Sequence, residues 1–421
     1  MQKQLQGLVI RKVRLERGWS QSALCTGICA VSYLSKIEQG KAEGSPEMME
    51  MLFQRLGINW RADPEFCQKS SAWFEDLYDR LFSGEFLEPM QEVLLSRADE
   101  FRTSPFYLDW LMLTWAVTRQ MPEDPREFLS AMDSRQYNLY LCLTGQFQEL
   151  LRVSDQAYYL LEVGRRAYWE GNYGYAVSCL QQGADRASRE GSLVVLMYCR
   201  LALGNCCSDM GQLEQTLEHY AAANRMARSL GTRGELTVIA YNLAITEFRM
   251  GMSEDALRHL LENPWDDGLY YHKLAMCYER LGRKKEALET LDRAAQAPMD
   301  GLATLARESR GPAKGMDILT TDPEDPEEDM DLREPEKEAE VEELPNYQEV
   351  FDLMCQVIRY RLENPDYLHD PVYGRALQEC IRVQEKHLPF GFARSQSQWL
   401  EEWYAANRQY RLAYETHKRF S

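Results

Sequence analysis

The stretch that decides the N-terminal fold is residues 19–41, which read WSQSALCTGICAVSYLSKIEQGK. Ser20 is a typical N-cap for a short helix, and Gly27 predicts a tight turn after that helix. A second helix is predicted over about residues 30–39. Two helices joined by a short turn containing glycine form a helix-turn-helix, whose second helix enters the major groove of DNA.

The flanking residues extend this unit into a small helical head. An earlier helix carrying Ile10 is stopped by Gly18, and Ser45-Pro46 opens a further helix that stops at Gly57. Residues 1–60 carry a net charge of +3 within a chain of net charge −18. Any attraction to phosphate is therefore confined to the head.

The order Ser-Gln, Leu, Gly, then Ser-Lys-Ile-Glu-x-Gly resembles the Xre/Cro/C1 family of helix-turn-helix regulators. The run GICAVSYLSKIEQGK is similar to the variant in peptide-responsive quorum-sensing regulators of Gram-positive bacteria, the PlcR-like and Rgg-like group. This resemblance implies that the chain binds double-stranded DNA. It implies a DNA-contact set of Gln21, Val31, Ser32, Tyr33, Ser35, Lys36, Arg14, Arg17 and Lys41.

Within that set the resemblance implies different roles. Gln21 would support the contact with the DNA backbone and the first exposed residue of the recognition helix. Residues 31–33 would face base edges. Ser35 and Lys36 would reach phosphate or base, while the two arginines and Lys41 would supply charge to phosphates. An alternative for Tyr33 is packing against the repeat region, and Glu38 is expected to be structural, bonded to backbone or an arginine. Ala30 departs from the usual serine at the start of the recognition helix, which removes a cap.

A repeat begins near residue 157. Its turn positions are Gly171, Gly211, Gly251 and Gly282, with small residues seven before and five after each glycine. Larger core residues follow nine after each glycine. This pattern resembles tetratricopeptide repeats, in which stacked helix pairs bury a continuous core. The predicted fold class is all-α: a helix-turn-helix domain followed by a right-handed α-superhelical tetratricopeptide-repeat solenoid.

Five segments follow from these patterns. We predict a DNA-binding domain at 1–62, degenerate helical repeats at 63–156, tetratricopeptide repeats at 157–297, an acidic and partly disordered insertion at 298–345, and a C-terminal helical repeat or cap at 346–421.

Stacked repeats of this kind form a superhelix with a concave groove, and that predicted groove offers candidate ligand residues. Asn205 and Asn242 lie on first helices of consecutive repeats, and a side-chain amide can bond a peptide backbone through both donor and acceptor. Asparagine also occurs near this position in ordinary repeats, so a structural role stays open. Arg200, Tyr241 and Tyr271 are further candidates for the same peptide groove.

The sequence lacks a phosphate-binding glycine loop, a zinc motif and a nucleophile elbow, so no enzymatic activity, metal or cofactor is expected. No apolar run is long enough to span a membrane, and the eleven cysteines lack a disulfide or metal spacing. A cytoplasmic protein with reduced thiols is expected.

Together these features predict a cytoplasmic, sequence-specific DNA-binding transcriptional regulator. Its repeats would bind a short signalling peptide or a protein partner and mediate homodimerisation. One alternative is a non-enzymatic interaction scaffold whose DNA-binding head is secondary or degenerate. Another is a constitutive regulator without a small ligand, in which the repeats serve dimerisation alone.

Overall fold

The structure is a computed structural model that describes residues 2–85, 88–298, 347–388 and 390–420. Throughout these residues the secondary structure consists of helices and turns, with no strand. No helix in these ranges is long and apolar enough to cross a membrane. The all-α prediction is confirmed.

The head contains four helices: α1 (Gln2–Glu16), α2 (Gln21–Cys25), α3 (Val31–Glu38) and α4 (Pro46–Arg55). The predicted caps are present, since the hydroxyls of Ser20 and Ser45 accept hydrogen bonds from the amides of Ala23 and Met48. The core of the head is built from apolar side chains of all four helices, including Ile10, Leu24, Leu34, Ile37 and Leu52.

Six helices and one 3₁₀ turn follow the head. They are α5 (Pro64–Phe82), α6 (Glu88–Ser96), α7 (Ala98–Arg102), α8 (Tyr107–Thr118), the 3₁₀ turn Arg126–Ala131, α9 (Ser134–Leu143) and α10 (Phe147–Val153). Helix α8 is buried from Tyr107 to Ala116 on every side, so it forms the core of this region.

The repeat region forms helix pairs at the predicted spacing. Its helices are α11 (Ala157–Trp169), α12 (Tyr173–Glu190), α13 (Leu193–Asp209), α14 (Leu213–Leu230), α15 (Arg233–Arg249), α16 (Ser253–Glu262), α17 (Gly268–Arg280) and α18 (Lys284–Ala294). The four turn glycines have φ between 71° and 83°, the left-handed conformation that glycine adopts without strain.

The small residues in the first helix of each pair are explained by close helix contact. A Cβ added at Gly204 would lie 2.4 Å from the ring of Tyr220, and one at Gly164 would lie 2.6 Å from Leu180. Tyr220 and Leu180 are the core residues predicted nine positions after the turn glycines. The pattern of small and large residues therefore reports the packing of the two helices within each repeat.

The C-terminal part contains α19 (Tyr347–Glu363), α20 (Pro371–His387), α21 (Phe390–Ala406) and α22 (Tyr410–Phe420). Their apolar faces join those of α15 to α18 in one hydrophobic cluster, with Phe351, Tyr373 and Leu377 fully buried. The predicted acidic insertion, apart from Pro298, lies outside the described residues.

The chain divides into two compact units. One comprises Met1–Val163 and Gln182–Leu196, and the other comprises Gly164–Gln181 and Met197–Ser421. The first contains the head and α5 to α10, and the second contains most of the repeats. The five domain boundaries and the superhelical course of the repeats stay predictions.

Candidate DNA interface and peptide groove

The turn between α2 and α3 is held by a residue that the sequence did not single out. The Arg55 guanidinium donates hydrogen bonds to the carbonyls of Leu24 and Thr26, at 2.8 and 2.5 Å. These carbonyls lie at the end of α2, where they have no partner within the helix. Arg55 therefore fixes the angle at which α3 leaves the turn.

The outer face of α3 is open to solvent. Val31, Ser32 and Lys36 are exposed, Val31 by 44%, whereas Leu34 and Ile37 on the opposite face are fully buried. Exposure of an apolar side chain at the first turn of a helix suits contact with a thymine methyl group. The predicted base-reading face is thus free to meet a DNA groove.

Two other predicted contact residues have partners inside the head. The Tyr33 hydroxyl donates to the carbonyl of Glu43 at 2.6 Å, and Ser35 accepts a hydrogen bond from Gln39 at 3.2 Å. Tyr33 is therefore tied to the loop after α3, which differs from the alternative of packing against the repeats.

The structure changes the role of Arg14. Its side chain is buried, and its guanidinium donates two hydrogen bonds to the Glu38 carboxylate at 2.6 and 2.8 Å. The predicted phosphate contact does not fit this burial, because a guanidinium bound to a buried carboxylate cannot reach solvent. Glu38 has the structural role expected of it.

Gln21 extends the same network to the DNA-facing side. Its side-chain amide donates to Glu38 at 2.8 Å. The Arg14–Glu38 pair therefore orients Gln21 at the start of α2, as a buttress does. Arg17 and Lys41 remain exposed and stay candidates for phosphate contact.

In the repeats, the two predicted asparagines form one hydrogen-bonded group. The side-chain oxygen Oδ1 of Asn205 accepts hydrogen bonds from the side-chain amide of Asn242 at 3.1 Å and from the Tyr220 hydroxyl at 2.8 Å. Asn205 lies on α13 and Asn242 on α15, so the amides link the first helices of adjacent repeats.

The other predicted groove residues face different partners. Tyr241 is buried, its ring packs edge-on against Trp265, and its hydroxyl lies 3.5 Å from the Leu269 carbonyl. Tyr241 is therefore a core residue and not a candidate for peptide contact. Arg200 lies 3.4 Å from His219 on the second helix of its own repeat. The Tyr271 hydroxyl donates to Asp266 at 3.1 Å, and its ring lies under Arg293.

Sequence reasoning missed a polar cluster beside the asparagines. The Asp209 carboxylate forms an ion pair with Arg249 and accepts a hydrogen bond from the Tyr173 hydroxyl at 3.2 Å. The backbone carbonyl of Asp209 accepts a hydrogen bond from the Arg394 guanidinium at 2.8 Å. A signal was available, because Asp209 and Arg249 each stand two residues before a turn glycine. Lys273 interacts electrostatically with Arg249 of this cluster. Burial, and then the positive charge of Arg249, lower the pKa of the Lys273 ammonium to about 8.

In the described ranges, no three His, Cys, Asp or Glu side chains are grouped so that they could hold a metal ion. The cysteines there are free thiols, and burial raises the pKa of several of them, including Cys355 and Cys380 to about 12.

Comparison with known proteins identifies the head. Residues 10–61 match the helix-turn-helix family. The head is a helix-turn-helix domain. The match begins within α1 and ends beyond α4, so it includes both the buried Arg14–Glu38 pair and the exposed face of α3. The prediction made from residues 19–41 is confirmed.

A second similarity extends over a longer part of the chain than the helix-turn-helix match. The chain is 23% identical over 275 residues to the transcriptional activator NprA of Geobacillus stearothermophilus. The match covers 56% of this chain and 66% of that activator, just under two thirds of its length.

Solved structures are similar beyond the helix-turn-helix domain. A Rap protein complexed with competence and sporulation factor is 14% identical, with a TM-score of 0.55 over 84% of this chain and 96% of that one. Bacillus thuringiensis PlcR in complex with the peptide PapR7 and DNA is 15% identical, with a TM-score of 0.29 over 70% and 94%. The Rap likeness confirms the helical-repeat fold.

Proposed function

We propose that this chain is a cytoplasmic, sequence-specific transcriptional regulator whose helix-turn-helix domain binds double-stranded DNA and whose repeats bind a short peptide. The observation that carries the DNA contact is the exposed face of α3, with Val31, Ser32 and Lys36 open to solvent on a helix packed firmly from behind. Base readout requires a rigid helix that exposes both polar and apolar side chains on one face.

The peptide proposal is supported by the asparagine pair. The Asn205 oxygen is occupied by Asn242 and Tyr220, which holds both amides in a defined orientation. An amide that is already oriented loses little entropy when it binds a peptide backbone. The relatives point the same way, since the Rap and PlcR structures were solved with competence and sporulation factor and with PapR7 respectively.

We further propose that the chain acts as a homodimer, needs no metal or cofactor, and is not an enzyme. Two helix-turn-helix domains related by a two-fold axis read half-sites about one turn of DNA apart, or a multiple of it. Footprinting that finds a single unpaired half-site, together with a monomer in sedimentation, would contradict the dimer.

The DNA contact is tested with the promoter region of the chain's own gene. Ser32→Ala combined with Lys36→Ala should weaken binding at least about tenfold, because each good base contact contributes about 1–3 kcal/mol. The matched control is Lys69→Ala with Ser71→Ala, a second exposed Lys and Ser on α5. Wild-type affinity should also fall as salt rises, since phosphate contacts release counterions. An affinity independent of salt would refute the proposal.

The peptide contact is tested with a pool of short synthetic peptides. Asn205→Ala with Asn242→Ala should abolish retention of the peptides that the wild-type protein holds. Asn224→Ala, on the second helix α14, is the control and should retain them. Equal retention by all three proteins would remove the asparagines from the binding site.

The scaffold alternative rests on one observation, which is that Ala30 provides no side-chain cap for α3. If the DNA-binding domain were degenerate for this reason, Ala30→Ser would create promoter binding that the wild-type protein lacks. If the wild-type protein already binds, the alternative fails.

A further inference from the structure

The Glu123 carboxylate contacts both the helix-turn-helix domain and the helices that follow it. Glu123 forms an ion pair with Lys12 on α1, and it accepts hydrogen bonds from the Tyr107 hydroxyl and the Arg102 guanidinium, both at 2.7 Å. The Lys12 ammonium also donates to the Tyr107 oxygen at 3.1 Å and lies over the ring of Phe128.

This contact is shielded from water. The Lys12 and Glu123 side chains are only 25% and 19% exposed, so their attraction is screened less than that of a surface pair. Burial, and then the hydrogen bond to Glu123, raise the pKa of Tyr107, so its hydroxyl keeps the proton that it donates. The contact lies on α1 and leaves the outer face of α3 exposed.

Glu123 belongs to a short loop, residues 119–125, that starts at the other end of α8. Arg119 ends α8 with φ of 56°, a left-handed conformation that bulky side chains seldom adopt. Its guanidinium lies 3.5 Å from the carboxylate of Glu162 on α11. Glu162 stands nine residues before Gly171, the same register that Asn242 has before Gly251.

The loop is braced between these two ends. The Gln120 amide donates to the Thr118 hydroxyl at 3.1 Å, and that hydroxyl lies within donating distance of the carbonyls of Thr114, at 2.7 Å, and Gln120, at 3.0 Å. Asp124 binds both the amide and the guanidinium of Arg126, where the 3₁₀ turn begins. With only three residues between Arg119 and Glu123, the braced loop has little length in which to absorb a displacement of one end, so that displacement is passed to the other end.

We propose that loop 119–125 couples the first repeat, α11 and α12, to the helix-turn-helix domain. The position of Arg119 depends on whether Glu162 is available to bind it, and Glu123 is the positioning residue for α1. A ligand with a positively charged group that engages Glu162 would compete with Arg119 and loosen the hold on Lys12. Regulation of DNA binding by this route rests on the proposed function. The coupling itself is a property of the unliganded chain, and it must be reciprocal.

Hydrogen exchange of the full-length protein, without DNA or peptide, tests the coupling. Arg119→Asn keeps a residue that tolerates the left-handed conformation but removes the guanidinium. It should speed exchange of the α1 amides about two- to fivefold, although Arg119 is not on α1. Glu123→Gln should speed them about tenfold, because it weakens hydrogen bonds to a charged group. Arg119→Lys should stay near wild type.

The matched control is Arg186→Ala. Arg186 forms ion pairs with Asp155 and Glu190 in the same compact unit but lies outside the loop, so its loss should leave α1 unchanged. The amides of α10 report any general loss of stability. In the reciprocal direction, Lys12→Met should speed exchange in residues 119–125.

The proposal is overturned if Arg119→Asn speeds exchange in the loop but not in α1, or if α1 and α10 change by the same factor. It is also overturned if neither the loop nor α1 responds. These outcomes leave the proposed function standing, because that is tested by promoter binding. Promoter binding that stays at wild-type affinity in the Ser32 and Lys36 variant would refute the proposed function, in turn, but with intact coupling it would leave the loop inference standing.

Discussion

The helix-turn-helix domain and the repeat groove place their polar side chains differently. In the head, the buried pair of Arg14 and Glu38 is separate from the exposed residues of α3 that would read DNA. In the groove, Asn205 and Asn242 are bonded to each other and are themselves the candidate ligand contacts. A structural and a functional role can thus be tested apart in the head but coincide in the groove.

The largest expected effect comes from breaking the network in the head. Glu38→Ala leaves the Arg14 guanidinium buried without its carboxylate, which should lower the free energy of unfolding by about 3–5 kcal/mol. Urea denaturation of the full-length protein measures it. Glu50→Ala on the exposed face of α4 is the control, and a loss no greater than that of this control would show that the pair is not structural.

A buried acid between these two regions sharpens the comparison. Asp109 on α8 accepts a hydrogen bond from neutral Gln136 at 2.9 Å, and burial raises its pKa from 3.8 to about 6. The folded state therefore binds more protons than the unfolded state between these values, and stability should fall as pH rises through that window, by up to about 3 kcal/mol.

Asp109→Asn should remove this pH dependence and make the protein more stable than wild type at pH values above the window. Thermal unfolding at several pH values measures it. Exposed Asp79→Asn on α5 should keep the wild-type slope. A slope unchanged in the Asp109 variant would assign the pH dependence to another group.

The repeats should be most sensitive where helices touch. Gly204→Ala places a methyl group 2.4 Å from the Tyr220 ring and should destabilise the protein by about 1–3 kcal/mol. Gly174→Ala on α12 meets nothing within 4 Å and should be neutral or stabilising, because alanine favours helix. Chemical denaturation compares the two, and equal effects would mean that helix spacing does not restrict position 204. The Tyr220 shift in the first variant would also disturb Asn205.

The smallest effect is expected at the uncapped helix of the head. Ala30 has φ −72° and ψ 144°, the extended backbone of an N-cap, without a side-chain acceptor. Ala30→Ser should add about 1 kcal/mol of stability and leave the exposed face of α3 unaltered. Thermal unfolding measures the gain, with Ala62→Ser outside the helices as control. No gain would indicate that the free amides of α3 are already satisfied.

Much of the fold could be predicted because local signals were strong. Ser20, Ser45 and the turn glycines mark helix ends through their own backbone and side-chain chemistry, and the spacing of small and large residues follows from contact between paired helices. The DNA-facing residues of α3 were predicted for the same reason, since one face of a short helix must be buried.

The sites were harder to predict because they depend on which side chains meet. Arg14 and Arg17 look alike in the sequence, yet one binds buried Glu38 and the other is exposed. Tyr241 stands next to Asn242, but its ring belongs to the core. Asp209, Arg249 and Arg394 are far apart along the chain: the shared repeat position of Asp209 and Arg249 hints at their pairing, but no sequence pattern brings Arg394 to them.

The amino-acid sequence by itself therefore determined the helix-turn-helix, the helix pairs and the face of α3 offered to DNA. These depend on caps, turns and periodicity that act within about twenty residues. Only the tertiary structure decided that Arg14 is structural, that Arg55 holds the turn, and that Glu123 fastens α1. Such pairings arise when burial brings distant charges into a medium where each must find a partner.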